Sequence, residues 1–181
     1  DYLQVGSGLY RFLAGGNLEA GYHEELHRLA VTDPLTGLPN RRALSEFLAH
    51  EAARARRHGR PLSVLLFDVD GFKAINDTRG HAVGDQILVE VARRLERVIR
   101  PGDVVARMGG DEFTVLLANT KGKAMIDRIA KRILAIFEKN PVVQGEPTPI
   151  GASVGIAVGK PELKTADEII RKADSAMYHI K

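Results

Sequence analysis

Two short segments concentrate acidic residues where chemistry could use them: Phe67-Asp68-Val69-Asp70-Gly71-Phe72-Lys73 and Gly109-Gly110-Asp111-Glu112-Phe113. In the first, a strand-length apolar run from Leu62 to Phe67 delivers Asp68 at its C-terminal end. A strand fixes such a carboxylate, and the loop beyond leaves room for a ligand. In the second, paired glycines allow close backbone approach and positive φ, and the acids follow at a hairpin tip. If the two strands are neighbours, Asp68 and Asp111 converge. Hard carboxylates suit Mg²⁺, which keeps waters and substrate phosphates as its other ligands. Paired metals there would stabilise an in-line phosphoryl or nucleotidyl displacement. Taken singly, each loop also reads as plain turn chemistry. The calcium-loop pattern is not met, because Phe72 stands where a further acid or amide is required, and no Gly-x-x-x-x-Gly-Lys-[Ser/Thr] phosphate loop is present.

Composition narrows the field. The chain has 181 residues, no Cys, no Trp, and 26 Lys and Arg against 23 Asp and Glu, a formal charge of +3. Zero Cys removes disulfides, thiolate metal sites and a cysteine nucleophile. It fits a reducing compartment, and the expected location is cytoplasmic. No apolar run reaches the ~20 residues of a membrane helix. Basic residues cluster at Arg54, Arg56, Arg57 and Arg60, and at Arg93, Arg94, Arg97 and Arg100. They lack the interleaved aromatics of a single-strand stacking surface. They read as solvated helix faces or as a polyphosphate pocket, and nucleic acid is not expected as a partner.

Periodicity supplies the elements that must position these residues. Residues 2–13 read as two short strands around Gly6-Ser7-Gly8. Leu18, Tyr22, Leu26 and Leu29 mark an amphipathic helix over 18–31. A helix opened by Leu38-Pro39-Asn40 runs to about His58, and a buried central strand covers 62–67. A loop and short helix follow at 70–78, then a long helix from about 82 to Pro101-Gly102. A hairpin joins strands 104–106 and 113–117. Helical spacing recurs at 126–137, a ribbon lies near 142–148, a strand at 150–158, and a last helix spans 166–181. The order predicts an α/β (α+β) layer fold, one mainly antiparallel sheet flanked by helices.

The motifs carry a family resemblance. Gly109-Gly110-Asp111-Glu112-Phe113 resembles the signature of the GGDEF domain, the diguanylate cyclase family. Asp33-Pro34-Leu35-Thr36-Gly37-Leu38-Pro39-Asn40-Arg41-Arg42 looks like that family's opening motif. Phe67-Asp68-Val69-Asp70, Phe72-Lys73, Asn76-Asp77-Thr78, Gly80-His81 and Gly84-Asp85 resemble its central block. Ala173-Asp174, Ala176, Tyr178 and Lys181 resemble its closing helix. The resemblance covers roughly residues 32–181. It implies a palm-like nucleotidyl cyclase fold in which two domains, each holding one GTP, meet as a homodimer. They would form cyclic di-GMP and release two pyrophosphates.

By that similarity Asp68, Asp111 and the Val69 carbonyl would bind Mg²⁺ or Mn²⁺. Lys73 and Lys181 would reach the phosphates as point charges. Asn76 and Asp85 would read guanine, and Asp85 would reject adenine, which lacks the donor edge. Gly110 would lie close under the nucleotide, and Glu112 would be catalytic or near the metals. Asp70 and Asp77 fit a loop-ordering role. Arg100-Pro101-Gly102-Asp103 resembles the family's inhibitory site for the product, with Arg132 completing it. Read alone, the same segment is a helix C-terminal Arg and a Pro-Gly stop.

Residues 1–31 fall outside this resemblance. Gln4-Val5-Gly6 and Tyr10-Arg11-Phe12 look similar to the last hairpin of a forkhead-associated domain. The expected organisation is a hairpin remnant and signalling helix or linker over 1–31, then the catalytic domain over 32–181. The absent initiating Met suggests a longer chain with an upstream sensor domain. A Gly-Arg element that commonly follows in the family is expected beyond Lys181. A catalytically inactive domain sensing GTP or cyclic di-GMP is the alternative, though the retained acids argue for an enzyme.

Overall fold

The computed structural model describes residues 2–5, 8–11, 26, 28–59, 61–120, 122–159 and 166–178. Lys181 and most of the helix expected over 18–31 lie outside the described residues. Strands β1 (Tyr2–Val5) and β2 (Gly8–Arg11) form a two-stranded antiparallel hairpin. Residues 28–31 are helical, and Leu26 and Leu29 from the expected apolar stripe are exposed.

The sheet that matters for function combines β3 (Leu62–Asp70), β4 (Val104–Gly109), β5 (Glu112–Leu117) and β8 (Gly151–Gly159) in the order β4-β5-β3-β8. Each of its pairings is antiparallel. A small ribbon, β6 (Val142–Val143) with β7 (Glu146–Pro147), precedes β8. The helices are α1 (Arg41–His58), α2 (Phe72–Arg79), α3 (His81–Val98), α4 (Lys123–Glu138) and α5 (Ala166–Tyr178).

Alternation along β3 explains why its apolar run is nearly continuous, with Ser63 the exception. Side chains alternate between sheet faces, and here helices cover both. Leu65, Phe67 and Val69 enter a core with Ile87, Val91 and Leu95 of α3 and Ile129 and Ile133 of α4. Leu62, Val64 and Leu66 enter a second core with Leu44 and Leu48 of α1 and Ile169, Ala173 and Met177 of α5. The start of α1 is fixed locally: the Asn40 side chain accepts from the Ala43 amide as N-cap. Gly59, in the left-handed region, stops it.

Candidate active site

The register of β3 and β5 places the first pair of acids. Asp68 lies directly opposite Glu112. Both share the face of Leu66 and Leu116, the α1 and α5 side. Directly opposed residues on one face hold their Cβ atoms about 4.5–5.5 Å apart. Asp111 joins them from the turn, and the Val69 amide donates to its backbone carbonyl at 3.3 Å. Burial raises the Glu112 carboxyl above its usual range. The charges of Asp68, Asp111 and Asp174 add to the effect, and Arg41 only partly offsets it. Acids from β3, from β5 and from the turn that joins β4 to β5 therefore converge, as the sequence predicted for Asp68 and Asp111.

The turn owes its shape to two features. Gly109 and Gly110 have φ of 136° and 53°, values that side-chain-bearing residues rarely adopt. The ladder also shifts register between Arg107 and Gly109, so Met108 is the extra residue of a bulge. Arg107 then braces the turn. Its Nε and Nη2 donate to the Gly110 carbonyl at 3.0 and 2.7 Å. Its Nη1 reaches both Asp33 oxygens at 2.9 and 3.1 Å. Asp33 in turn accepts from the Thr36 amide and hydroxyl. Sequence reading missed Arg107 as a functional residue, and its one cue was a cation three residues before Gly110.

On the other side of β3, Asp70 accepts from Ser153 Oγ of β8 at 2.7 Å, the loop-ordering role expected for it. The chain then enters α2, with Lys73 exposed in its first turn and Asn76 half-buried one turn later. Residues three apart share a helix face. Asn76 Oδ1 is buried without a hydrogen-bond partner. Asp85 is exposed on α3, next to the buried Gly84 against which Asn76 packs. Arg79 secures the end of α2 to the ribbon through Thr148 Oγ1, the Val143 carbonyl and Glu146.

Arg100 and Asp103 meet away from the acid turn. Arg100 Nε donates to Asp103 Oδ2 at 3.0 Å, and Arg100 Nη2 to the Ala118 carbonyl at 2.7 Å. The Asp103 side chain is only 1% exposed. Burial raises its pKa, against the opposing pull of Arg100 and the Ala118 amide. A cavity of about 330 Å³ beside them is lined also by Glu51, Arg54 and His58 of α1. Arg132, an exposed residue of α4, does not line this cavity.

Among the described residues, no group of three or more His, Cys, Asp or Glu could hold a metal by itself. The donor set fits Mg²⁺ nonetheless. Asp68 and Asp111 are hard carboxylates, and burial together with their charges holds the neighbouring Glu112 carboxyl above its usual range. Mg²⁺ takes one or two protein carboxylates and fills its octahedron with water and phosphate oxygens.

The antiparallel sheet, helices on both faces and acids at a strand end and adjoining turn make this a palm-like nucleotidyl cyclase fold. Residues 30–181 match the family model described as diguanylate cyclase, GGDEF domain, and the chain belongs to that family. It is 40% identical over 159 residues to the bifunctional diguanylate cyclase/cyclic di-GMP phosphodiesterase MucR of Pseudomonas aeruginosa, covering 88% of this chain and 23% of that protein. The GGDEF domain of TpbB (YfiN) from Pseudomonas aeruginosa superposes with a TM-score of 0.78 at 40% identity, covering 82% of this chain and 87% of that one. The coiled coil and GGDEF domain of DgcB from Caulobacter crescentus, solved in complex with c-di-GMP, gives a TM-score of 0.82 at 29% identity, covering 90% and 86%. The chain spans less than half the length of the curated relatives it matches.

Proposed function

We propose that this chain condenses two GTP molecules into cyclic di-GMP, acting as a dimer of domains with product feedback inhibition. The convergence of Asp68, Asp111 and Glu112 on one sheet end carries this reading. A domain that only sensed a nucleotide would need no such acid cluster. Asp68, Asp111 and the Val69 carbonyl would hold a divalent metal, which would supply charge neutralisation for phosphate oxygens.

The chain's own residues do the rest. Lys73, and Lys181 where the sequence places it, bind triphosphate oxygens. Gly110 leaves the turn bare, so the nucleotide can lie against backbone. Asn76 and Asp85 orient guanine, and Asp85 accepts from its N1–H and 2-amino group. With adenine that acceptor stays unpaired, which rejects ATP. Glu112 adds negative charge beside the metal ligands. Each 3′-oxygen forms a bond to the α-phosphorus of the other GTP as the bond to pyrophosphate breaks. One domain holds one GTP, so both bonds need two domains face to face. Arg100 and Asp103 bind the product, Arg pairing with guanine or phosphate in bidentate fashion. An upstream sensor domain would govern the encounter.

Incubating the protein with GTP and Mg²⁺, then separating nucleotides by chromatography, tests the proposal. Cyclic di-GMP and pyrophosphate are expected, with specific activity rising with protein concentration. Tight GTP binding without turnover at high protein concentration would favour the sensor reading.

A further inference from the structure

Gly84 occupies a position where glycine is locally unfavourable. It lies inside α3, where alanine is the better helix former, and it is not among the glycines with positive φ. Backbone conformation therefore does not require it. Space does. A Cβ at this position would stand 2.0 Å from Asn76 Oδ1, 3.1 Å from Asn76 Cγ and 3.1 Å from Phe72 Cζ.

We propose that Gly84 is a positioning residue for the nucleotide site, its bare backbone forming the seat that holds the Asn76 amide beside Asp85. The inference rests on the reading of Asn76 as a base-contacting residue. The seat has three walls. Phe72, buried at the start of α2, closes one side. The α3 backbone at Gly84 closes another. The α2–α3 junction, where the Gly80 amide donates to the Asn76 carbonyl, sets the angle between the helices.

The result is an amide oxygen buried without a partner on a half-buried residue. Such burial costs stability unless something compensates. It also packs the amide against the Gly84 backbone, one residue from Asp85, and so confines it. Holding a recognition group this way lowers the entropy lost when a ligand binds. A side chain at position 84 would strike the Asn76 amide first and crowd Phe72 less severely.

Affinity for a GTP analogue with an α,β-methylene bridge, in the presence of Mg²⁺, is measured for wild type, Asn76→Ala, Gly84→Ala and the double variant. Inorganic pyrophosphate with Mg²⁺ serves as the phosphate-only probe, and thermal melts report folding. Asn76→Ala and Gly84→Ala should each weaken the analogue about tenfold, the scale of one lost hydrogen bond to a buried group. The double variant should be no weaker than either, and pyrophosphate affinity should not change. The melting cost of Gly84→Ala should vanish in the Asn76→Ala background, as expected for two groups in direct contact.

If Gly84→Ala binds the analogue like wild type while Asn76→Ala does not, the seat is refuted and the base assignment stands. If Asn76→Ala itself binds like wild type, the base assignment fails, and the seat with it. If Gly84→Ala folds only in the double variant, the clash is upheld. If neither folds, Phe72 packing governs position 84 and the proposal is overturned.

Discussion

Arg107 and Asp33 lie 74 positions apart in sequence, yet Arg107 Nη1 sits 2.9 and 3.1 Å from the two Asp33 carboxylate oxygens. The opposite edge of the same guanidinium holds the Gly110 carbonyl. The segment that enters the domain and the turn that carries Asp111 are thus joined through one side chain. The ion pair is mostly buried, with side chains 11% and 17% exposed, so it is screened less by solvent than a surface pair.

Arg107→Ala should therefore cost about 1–3 kcal/mol of stability, since it strips a partly buried carboxylate and a carbonyl of their donor. Turnover should fall further than stability alone explains, because the turn that places Asp111 loses its brace. Chemical denaturation alongside steady-state kinetics checks both.

The same pair has a pH signature. Burial pushes the Asp33 carboxyl upward, but the Thr36 hydroxyl and amide together with Arg107 outweigh it and hold it below the usual range. A lowered native pKa adds stability above the unfolded value, about 3.9 for Asp, and that stability is lost as pH falls through the native value. Asp33→Asn should be less stable than wild type at neutral pH. The gap should close as the solution is acidified below about pH 4, as followed by denaturation midpoints across the acid range.

Glu112 has the opposite sign. Its pKa is raised by burial and by Asp68, Asp111 and Asp174. Its ionisation therefore costs stability as pH rises toward the raised value and has no effect below the unfolded one, where the carboxyl is protonated in both states. Glu112→Gln should melt higher than wild type at neutral pH, with no difference in acid. Turnover should drop about 100-fold, the scale of losing one preorganised electrostatic group.

The layer order, the buried strand β3 and the acid-bearing hairpin were legible in the sequence because each leaves a local mark. Alternation fails at β3 because both its faces are covered, and Gly-Gly announces the turn. The Arg107–Asp33 tie leaves no such mark. Neither does the bulge at Met108, which only the pairing of β4 with β5 reveals. Arg132 was suggested for the inhibitory site by the family resemblance, as an arginine of a neighbouring helix. The fold packs α1 on β4 and brings Arg54 and His58, which no motif had singled out, to the cavity beside Arg100. Gly84 stood in a recognised motif, but its reason is the volume of Asn76, which only three-dimensional contact shows.

Arg100→Ala should relieve product inhibition, so that progress curves no longer flatten early. Asp103 keeps the Ala118 amide as a partner, but its side chain is 1% exposed, so removing the Arg100 donor should also cost about 1–3 kcal/mol of stability. Unchanged inhibition in a folded variant would reduce the motif to a helix stop.

The central claim is that the acids gathered by β3, β5 and the β4–β5 turn form the catalytic centre of a cyclase. Cyclic di-GMP formed from GTP and Mg²⁺ by wild type and by Asp111→Ala, quantified side by side at matched folded concentrations, tests it most directly. The account predicts accumulation of product with wild type and none with Asp111→Ala, although the variant melts cooperatively. Near-wild-type turnover by Asp111→Ala, or no product from wild type, would contradict it.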